Sequence, residues 1–274
     1  MIQSILIVGG DKRQLALADM LKERGHNVSL QGFTKLGIQY EPIESPGTIF
    51  LPVPYRNPDG SLKAPYTEEK LELANVVRQY PRSVYFLGGY DTAAREAFDG
   101  QVHYIDLMAD EAYQVENALL TTQAAVCAFQ QTSEVALCDL HCVVVGYGRI
   151  AKFLCRLLIA HGAQVTATAR KESDLVLIRS ERMNAIHTKR LARILPEADV
   201  IFNTVPHHVF GKEELKSIRS GVMLMELASP PYGLDLKLAE ELGVRVRIES
   251  GLPGRYFPVS AAQAMLRAFE SEDI

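Results

Sequence analysis

The sequence predicts an α/β protein built from two doubly wound parallel-sheet domains joined by a long helix. Three observations carry that expectation. Short β-branched or aromatic runs alternate with helical patterns through both halves of the 274 residues, which is the order that parallel sheets covered by helices require. The alternation is interrupted once, by the stretch 117–138, which has neither glycine nor proline. Each half also opens with a strand that runs into a glycine-bearing turn and then a helix, at Val8-Gly9-Gly10 and at Val145-Gly146-Tyr147-Gly148.

In the first half the strands are expected at 5–8, 27–30, 48–51, 84–87 and 102–105. Helices are expected to begin near Lys12, Thr67 and Asp91, with Thr67 and Asp91 as N-caps, because a short oxygen-bearing side chain can accept from the free N–H groups of a first turn. Between the third strand and the second helix, 52–65 contains four prolines and a glycine, so it cannot hold regular helix. That loop follows a strand end, where open α/β sheets keep their ligands; a plain surface excursion is the equal alternative, and Pro52 is its first candidate contact.

The stretch 117–138 is expected to be a stiff helical connector. Beyond it, strands are expected at 141–145, 164–169, 200–204, 222–227 and 244–248, and helices at 150–160, 174–182, 212–218 and 235–242. The Ala-rich tail 260–269 reads as a helix that crosses back to the first domain. The expected domains are thus 1–116, joined by 258–274, and 117–257.

Composition excludes several classes. Hydrophobic residues make up 47% and charged residues 23%, enough apolar material for two cores. A net charge of −4 gives no footprint for nucleic acid, which needs a dense basic surface to displace counterions. No apolar run approaches the ~18 residues of a membrane span, and the first residues lack a secretory pattern, so a cytoplasmic protein is expected. The four cysteines, Cys127, Cys138, Cys142 and Cys155, suit reduced, buried packing positions. The Cys138, His141, Cys142 group fits none of the usual zinc spacings, so no metal is expected.

The sharpest motif is Gly146-Tyr147-Gly148-Arg149-Ile150-Ala151, a G-x-G-x-x-A turn between a strand and a helix. Gly146 permits the tight turn, Gly148 lets the backbone approach a pyrophosphate, and Ala151 lets the helix pack close to the strand. The helix start would present free N–H groups and partial positive charge to phosphates. A bare strand-to-helix turn is the alternative, but a second strand follows at the distance a dinucleotide site requires. The second domain therefore reads as a Rossmann NAD(P)-binding domain. Its second strand ends in Ala169-Arg170-Lys171 and not in the carboxylate that would bind the ribose hydroxyls of NAD(H). A guanidinium there can grip a 2′-phosphate, so NADP(H) is the expected cofactor, through Arg170 with Lys171 or Ser173; NAD(H) with Arg170 stacked on adenine is the alternative. Asn203-Thr204-Val205-Pro206 and Ala228-Ser229 end later strands and are expected beside the nicotinamide, although Asn203 also suits a plain turn former. His207 and its neighbour His208 are candidate acid–base groups, or ordinary surface histidines.

The turn at Gly9-Gly10-Asp11-Lys12-Arg13-Gln14 is no nucleotide fingerprint, since Gln14 takes the third glycine position and Asp11 would oppose a phosphate. It suits a small carboxylate held by Arg13 and the helix start, or simple capping by Asp11 with a solvated Arg13.

Taken together, Gly9-Gly10-Asp11-x-Arg13-Gln14, Leu51-Pro52-Val53-Pro54, Gly146-x-Gly148-Arg149, Ala169-Arg170, Asn203-Thr204-x-Pro206 and Gly251-Leu252-Pro253-Gly254 resemble the A subunits of dipicolinate synthase over essentially the full length. The resemblance implies an NAD(P)-dependent oxidoreductase subunit of sporulating cells, located in the mother-cell cytoplasm. It would oxidise dihydrodipicolinate, a small cyclic dicarboxylate, to dipicolinate; the alternatives are an NADP-dependent dehydrogenase or reductase of another small carboxylate and a non-catalytic NADP(H)-binding partner subunit. It further implies a partner, the flavoprotein-like B subunit, together with homo-oligomers, and substrate contacts at Gly10, Asp11, Arg13, Gln14, Pro52, Thr121, Thr122 and Gln123. One departure bears on chemistry. Where the family has Pro-Thr-x-Glu, this chain reads Leu120-Thr121-Thr122-Gln123, so a carboxylate is replaced by an amide without charge or basicity, and Gln123 stands with His207 as the candidates for catalysis. Ala151 and Glu226 also differ from the commoner family choices.

Overall fold

The computed structural model describes residues 2–272. The chain divides into two compact units, Met1–Asn117 with Pro253–Ile274, and Ala118–Leu252.

The first unit contains β1 (Ser4–Val8), α1 (Lys12–Glu23), β2 (Asn27–Gln31), β3 (Thr48–Phe50), α2 (Leu73–Gln79), β4 (Val84–Leu87), α3 (Thr92–Phe98) and β5 (Tyr104–Asp106). Its five strands lie in the order β2-β1-β3-β4-β5, all parallel. Ile5, Leu6, Ile7 and Val8 are fully buried on both faces of the sheet, which is why β1 reads as a continuous apolar run and not as an alternation. The chain leaves β1 toward β2 on one side and returns to β3 on the other, so the topological switch point lies at the carboxyl ends of β1 and β3.

α4 (Glu111–Gln130) carries the chain from one unit to the next. The second unit then contains β6 (His141–Val145), α5 (Arg149–Ala160), β7 (Gln164–Ala169), α6 (Glu172–Ser180), β8 (Asn184–His187), β9 (Val200–Asn203), α7 (Lys212–Ser217), β10 (Met223–Glu226), α8 (Leu236–Glu241) and β11 (Arg245–Ile248). Its sheet runs β11-β10-β9-β6-β7-β8, again all parallel, with the switch point at the ends of β6 and β9. Two helices close the chain, α9 (Leu252–Tyr256) and α10 (Pro258–Glu270). α10 packs on α1, and Phe269 sets its ring edge-on to Phe50 and Phe86 at 5.5 and 5.6 Å.

Five expectations need correction. No helix begins at Thr67: its hydroxyl accepts from the Glu69 N–H at 3.1 Å in a local turn, and α2 starts only at Leu73. β5 is shifted to Tyr104–Asp106. The connector spans Glu111–Gln130 and not 117–138, because the Asp110 side chain accepts from the Ala112 N–H at 2.8 Å and opens the helix earlier. It ends where the Thr132 hydroxyl donates back to the Phe129 carbonyl at 2.9 Å, a local bond that competes with helix continuation. The sixth strand of the second sheet, β8, and the 3₁₀ turns at Thr188–Arg193 and Leu195–Glu197 were not expected. Of the cysteines, only Cys142 and Cys155 are buried; Cys127 and Cys138 are exposed. Burial pushes the Cys142 and Cys155 thiols up to about 12, so both are inert packing groups.

The aromatic contacts give a direct test of α10. Phe269→Ala removes a ring that covers two fully buried phenylalanines, and is expected to lower the unfolding free energy by about 3–5 kcal/mol in denaturant titrations.

Candidate functional site

At the first switch point the backbone turns sharply. Gly9 and Gly10 have φ of 66° and 101°, and a Cβ on Gly9 would lie 2.7 Å from the Lys63 carbonyl oxygen. The Gly10 N–H donates to that same carbonyl at 2.6 Å, so the proline-rich loop is bound directly to the end of β1. α1 then begins with a closed capping box. Asp11 accepts from the Arg13 N–H at 2.9 Å, and the Gln14 Oε1 accepts from the Asp11 N–H at 2.9 Å.

Arg13 is neither the solvated guanidinium of the capping alternative nor free to anchor a carboxylate. It is 6% exposed. Its Nε and Nη2 donate to the Asp11 carboxylate at 2.9 Å each, and Nη2 also donates to the Val53 carbonyl at 2.6 Å. Burial pushes the Asp11 carboxyl up, but the hydrogen bonds and charge of Arg13 outweigh that and hold it below the usual carboxylate range. Arg13 is thus a neutralised strut between the β1 turn and the loop, and not a free anchor for a carboxylate. Pro52 is buried beside Val53, and Gln14 is fully buried.

At the second switch point Gly146 has φ of 102°. A Cβ there would lie 2.6 Å from the Thr204 Oγ1 and 2.8 Å from the Val205 Cγ2, so only glycine fits. The Gly146 N–H donates to the Thr168 Oγ1 at 3.2 Å, and the Thr204 hydroxyl donates to the Val145 carbonyl at 2.8 Å. The loop is therefore held from both neighbouring strands. Gly148 is the N-cap of α5, no side chain caps that helix, and a Cβ on Gly148 would meet nothing within 4 Å. Ala151 is fully buried and brings α5 onto the sheet. The result is an open helix start with exposed Gly148 and Arg149 and half-buried Ile150, the geometry that receives phosphate.

Several expected contacts lie elsewhere. The Tyr147 ring is 8% exposed, with the Lys152 ammonium over it at 5.5 Å, so only its backbone belongs to the loop. Asn203 is fully buried. Its Nδ2 donates to both Glu226 carboxylate oxygens at 2.8 Å and to the Val205 carbonyl at 3.1 Å, while its Oδ1 accepts from the Val205 N–H at 3.1 Å. It is the turn former. Thr122 is fully buried and donates to the Ile150 carbonyl at 3.2 Å, tying α4 to α5. Thr121 is buried, whereas Gln123 is exposed. Val205 and Ala228 are half-buried; Pro206, His207, His208 and Ser229 are exposed.

Arg170, Lys171 and Ser173 are exposed at the end of β7. Lys171 is the N-cap of α6, which also lacks a side-chain cap, and Glu172 in that first turn is taken up by Arg179 at 2.7 Å. Sequence reasoning missed the neighbour that β8 supplies: His187 pairs with Ala169, bringing the following Thr188 and Lys189 to the same sheet edge. It also missed the use of Glu226. That carboxylate is fully buried and accepts from Asn203, the Ala228 N–H at 2.9 Å and the Gly233 N–H at 3.1 Å. Burial pushes its pKa up, and those donors offset only part of the rise. Strand-end Asn and Glu in register (Glu226 beside Asn203) were the available signal.

Among the described residues there is no group of three side chains that could hold a metal ion, and no helix is long and apolar enough to cross a membrane. Residues 4–108 match the family model described as the N-terminal domain of the dipicolinate synthase A subunit. Residues 97–230 match that of the D-isomer specific 2-hydroxyacid dehydrogenase NAD binding domain. The chain is 26% identical to the dipicolinate synthase A subunit of Bacillus subtilis (strain 168), across 95% of this chain and 92% of that protein. The crystal structure of the dipicolinate synthase A subunit from Bacillus halodurans superposes with a TM-score of 0.87 at 25% identity, covering 97% of this chain and 96% of that one.

The chain is a relative of the A subunit of dipicolinate synthase. The similarity to that subunit runs through both units. The apo-structure of D-lactate dehydrogenase from Escherichia coli shares the fold, with a TM-score of 0.62 at 13% identity over 97% of this chain and 96% of that one. The match to an NAD-binding domain supports a nicotinamide dinucleotide as the cofactor and an oxidoreductase as the class of protein. Of the three positions expected to depart from the dipicolinate synthase pattern, Gln123 is exposed, and Ala151 and Glu226 are fully buried.

The role of Arg13 as a strut can be measured. Arg13→Met leaves a carboxylate, a third exposed, without its cation, and is expected to lower stability at pH 7 by about 3 kcal/mol, the low end for breaking a buried pair. A depressed carboxyl pKa stabilises the fold above the unfolded-state value and loses that contribution as pH falls through the folded-state value. The gap between wild type and variant in unfolding midpoint should therefore narrow below pH ~4.

Proposed function

We propose that this chain is the dinucleotide-binding subunit of an oxidoreductase that uses NADP(H) in preference to NAD(H) and oxidises dihydrodipicolinate to dipicolinate. The observation that carries the cofactor half of this reading is the uncapped start of α5 behind Gly148. Helix-end charge faces open space there, and the backbone of Tyr147 to Ile150 would hold the pyrophosphate. Preference for NADP(H) rests on Arg170, which is exposed and makes no hydrogen bond or ion pair among the described residues, with Lys171 and Ser173 on the uncapped start of α6. Thr204, Val205, Pro206, Ala228 and Ser229 would line the nicotinamide end, held in place by the buried Asn203–Glu226 bonds.

When bound, oxidised nicotinamide accepts the hydride that leaves the dihydropyridine ring. The same ring then loses a proton and becomes aromatic, so the protein has to orient the ring and take up one proton. Gln123 has no basic nitrogen, so of the two sequence candidates His207 is the one able to accept it. The dicarboxylate belongs to the sheet edge of the first unit, at Gly10, Gln14 and Pro52. By likeness to the Bacillus proteins, which are named as subunits, a flavoprotein-like B subunit is the proposed partner, in the mother-cell cytoplasm of sporulating cells.

Purified protein mixed with dihydrodipicolinate and NADP⁺, with and without such a partner, should yield dipicolinate and NADPH. Turnover of a 2-hydroxy acid in its place would assign the chain to another small carboxylate. Arg170→Ala is expected to weaken NADPH binding about 10–100-fold, the loss of charge-assisted bonds to one phosphate, with little change for NADH. Equal losses for the two cofactors would refute the NADP(H) assignment.

A further inference from the structure

The proline-rich loop brings to the first switch point one cation that no sequence motif marks. Lys63 is half-buried, and its own backbone is locked on both sides: its carbonyl accepts from Gly10 and its N–H donates to the Tyr55 carbonyl at 3.0 Å. Among the described residues its ammonium makes no hydrogen bond or ion pair. Burial and the neighbouring Arg13 charge lower its pKa, and Asp11 offsets part of that. Arg13 has Asp11 as its counter-ion, whereas Lys63 has none within ion-pair distance. A partly desolvated charge without a partner is costly to keep, and this one lies where open α/β sheets take their ligands.

A second observation at the same turn is independent of Lys63. The Gln14 side chain is fully buried and lies against Gly10, where a Cβ would come within 2.3 Å of its carboxamide carbon. Its Oε1 is used by Asp11, but its Nε2 has no acceptor. Buried donors without an acceptor are rare in folded proteins and commonly mark the place of a ligand or water. The turn thus holds one unpaired cation and one unpaired neutral donor. A carboxylate has the chemistry that both lack, negative charge for the ammonium and an acceptor oxygen for the amide.

We propose that Lys63, together with the Gln14 amide, is the carboxylate-binding subsite of this protein, and that Arg13 only braces it. This rests on the reading of the substrate as a small carboxylate. Lys63 supplies the charge. The two glycines allow the close approach of backbone and loop that positions it, and the Asp11–Arg13 pair keeps the Asp11 carboxylate from capturing the ammonium.

The test uses the full chain with NADPH present, titrated by calorimetry with pyridine-2,6-dicarboxylate, picolinate or D-lactate. Lys63→Gln should weaken binding of whichever carboxylate the wild type accepts by at least tenfold, with NADPH affinity unchanged, and Lys63→Arg should restore most of it. A second measurement needs no variant. Acylation of wild-type amines by acetic anhydride, read by mass spectrometry, should show Lys63 protected several-fold by the bound carboxylate while exposed Lys70 is not. If pyridine-2,6-dicarboxylate binds but Lys63→Gln binds it within twofold of wild type and Lys63 stays unprotected, the subsite is refuted and the substrate reading survives. If only D-lactate binds and protects Lys63, the subsite stands and the dicarboxylate reading fails. Absence of binding by all three at millimolar levels, with NADPH bound, overturns both.

Discussion

The first N–H groups of an α-helix must find acceptors outside the helix, and the two sheet edges of this protein meet that demand in opposite ways. At α1 the chain closes the helix start itself, through Asp11 and Gln14. At α5 the N-cap is Gly148, which has no side chain to offer, and the space beside it is open. The same strand-turn-helix geometry therefore gives one helix start closed by its own side chains and one left open. The proposed division of labour uses that difference, with the dinucleotide at the second switch point and the substrate carboxylate at the first.

Each edge is made rigid by a carboxylate, half-buried at Asp11 and fully buried at Glu226, and the two are compensated differently. Asp11 has a guanidinium, and the pair links the β1 turn to the Val53 carbonyl across forty residues of sequence. Among the described residues Glu226 has no cation beside it. It is held by an amide and two backbone N–H groups, donors that reduce the penalty of burying charge without cancelling it. Gly233 is required beside it, since a Cβ there would lie 2.2 Å from the Asn203 Nδ2. The arrangement fixes the turn after β9 and the loop after β10, the two segments expected to flank the nicotinamide.

Much of this was legible in the sequence because it depends on local rules. Both glycine turns, the core strands of both sheets and the cap at Asp91, which accepts from the Ala94 N–H at 3.0 Å, follow from spacing and backbone preference alone. β8 was missed because its four residues are only partly buried or exposed, so it carries no apolar signature of its own and exists through pairing with β7. Thr67 looked like a cap, but its hydroxyl serves a turn two residues long. Arg13, Asn203 and Thr122 were read as ligand contacts because they are polar and well placed. Their partners, Val53, Glu226 and Ile150, lie 40, 23 and 28 residues away, and sequence spacing does not report such distant contacts. Lys63 was overlooked for the same reason: only the path of the loop brings it to the end of β1.

The central claim is that the backbone at the start of α5 holds the pyrophosphate of a nicotinamide dinucleotide. Amide hydrogen exchange, measured residue by residue with and without saturating NADPH, tests it most directly. The account predicts strong slowing at Gly148, Arg149 and Ile150, whose N–H groups would donate to phosphate. Saturation by NADPH with exchange at those three amides unchanged would contradict it.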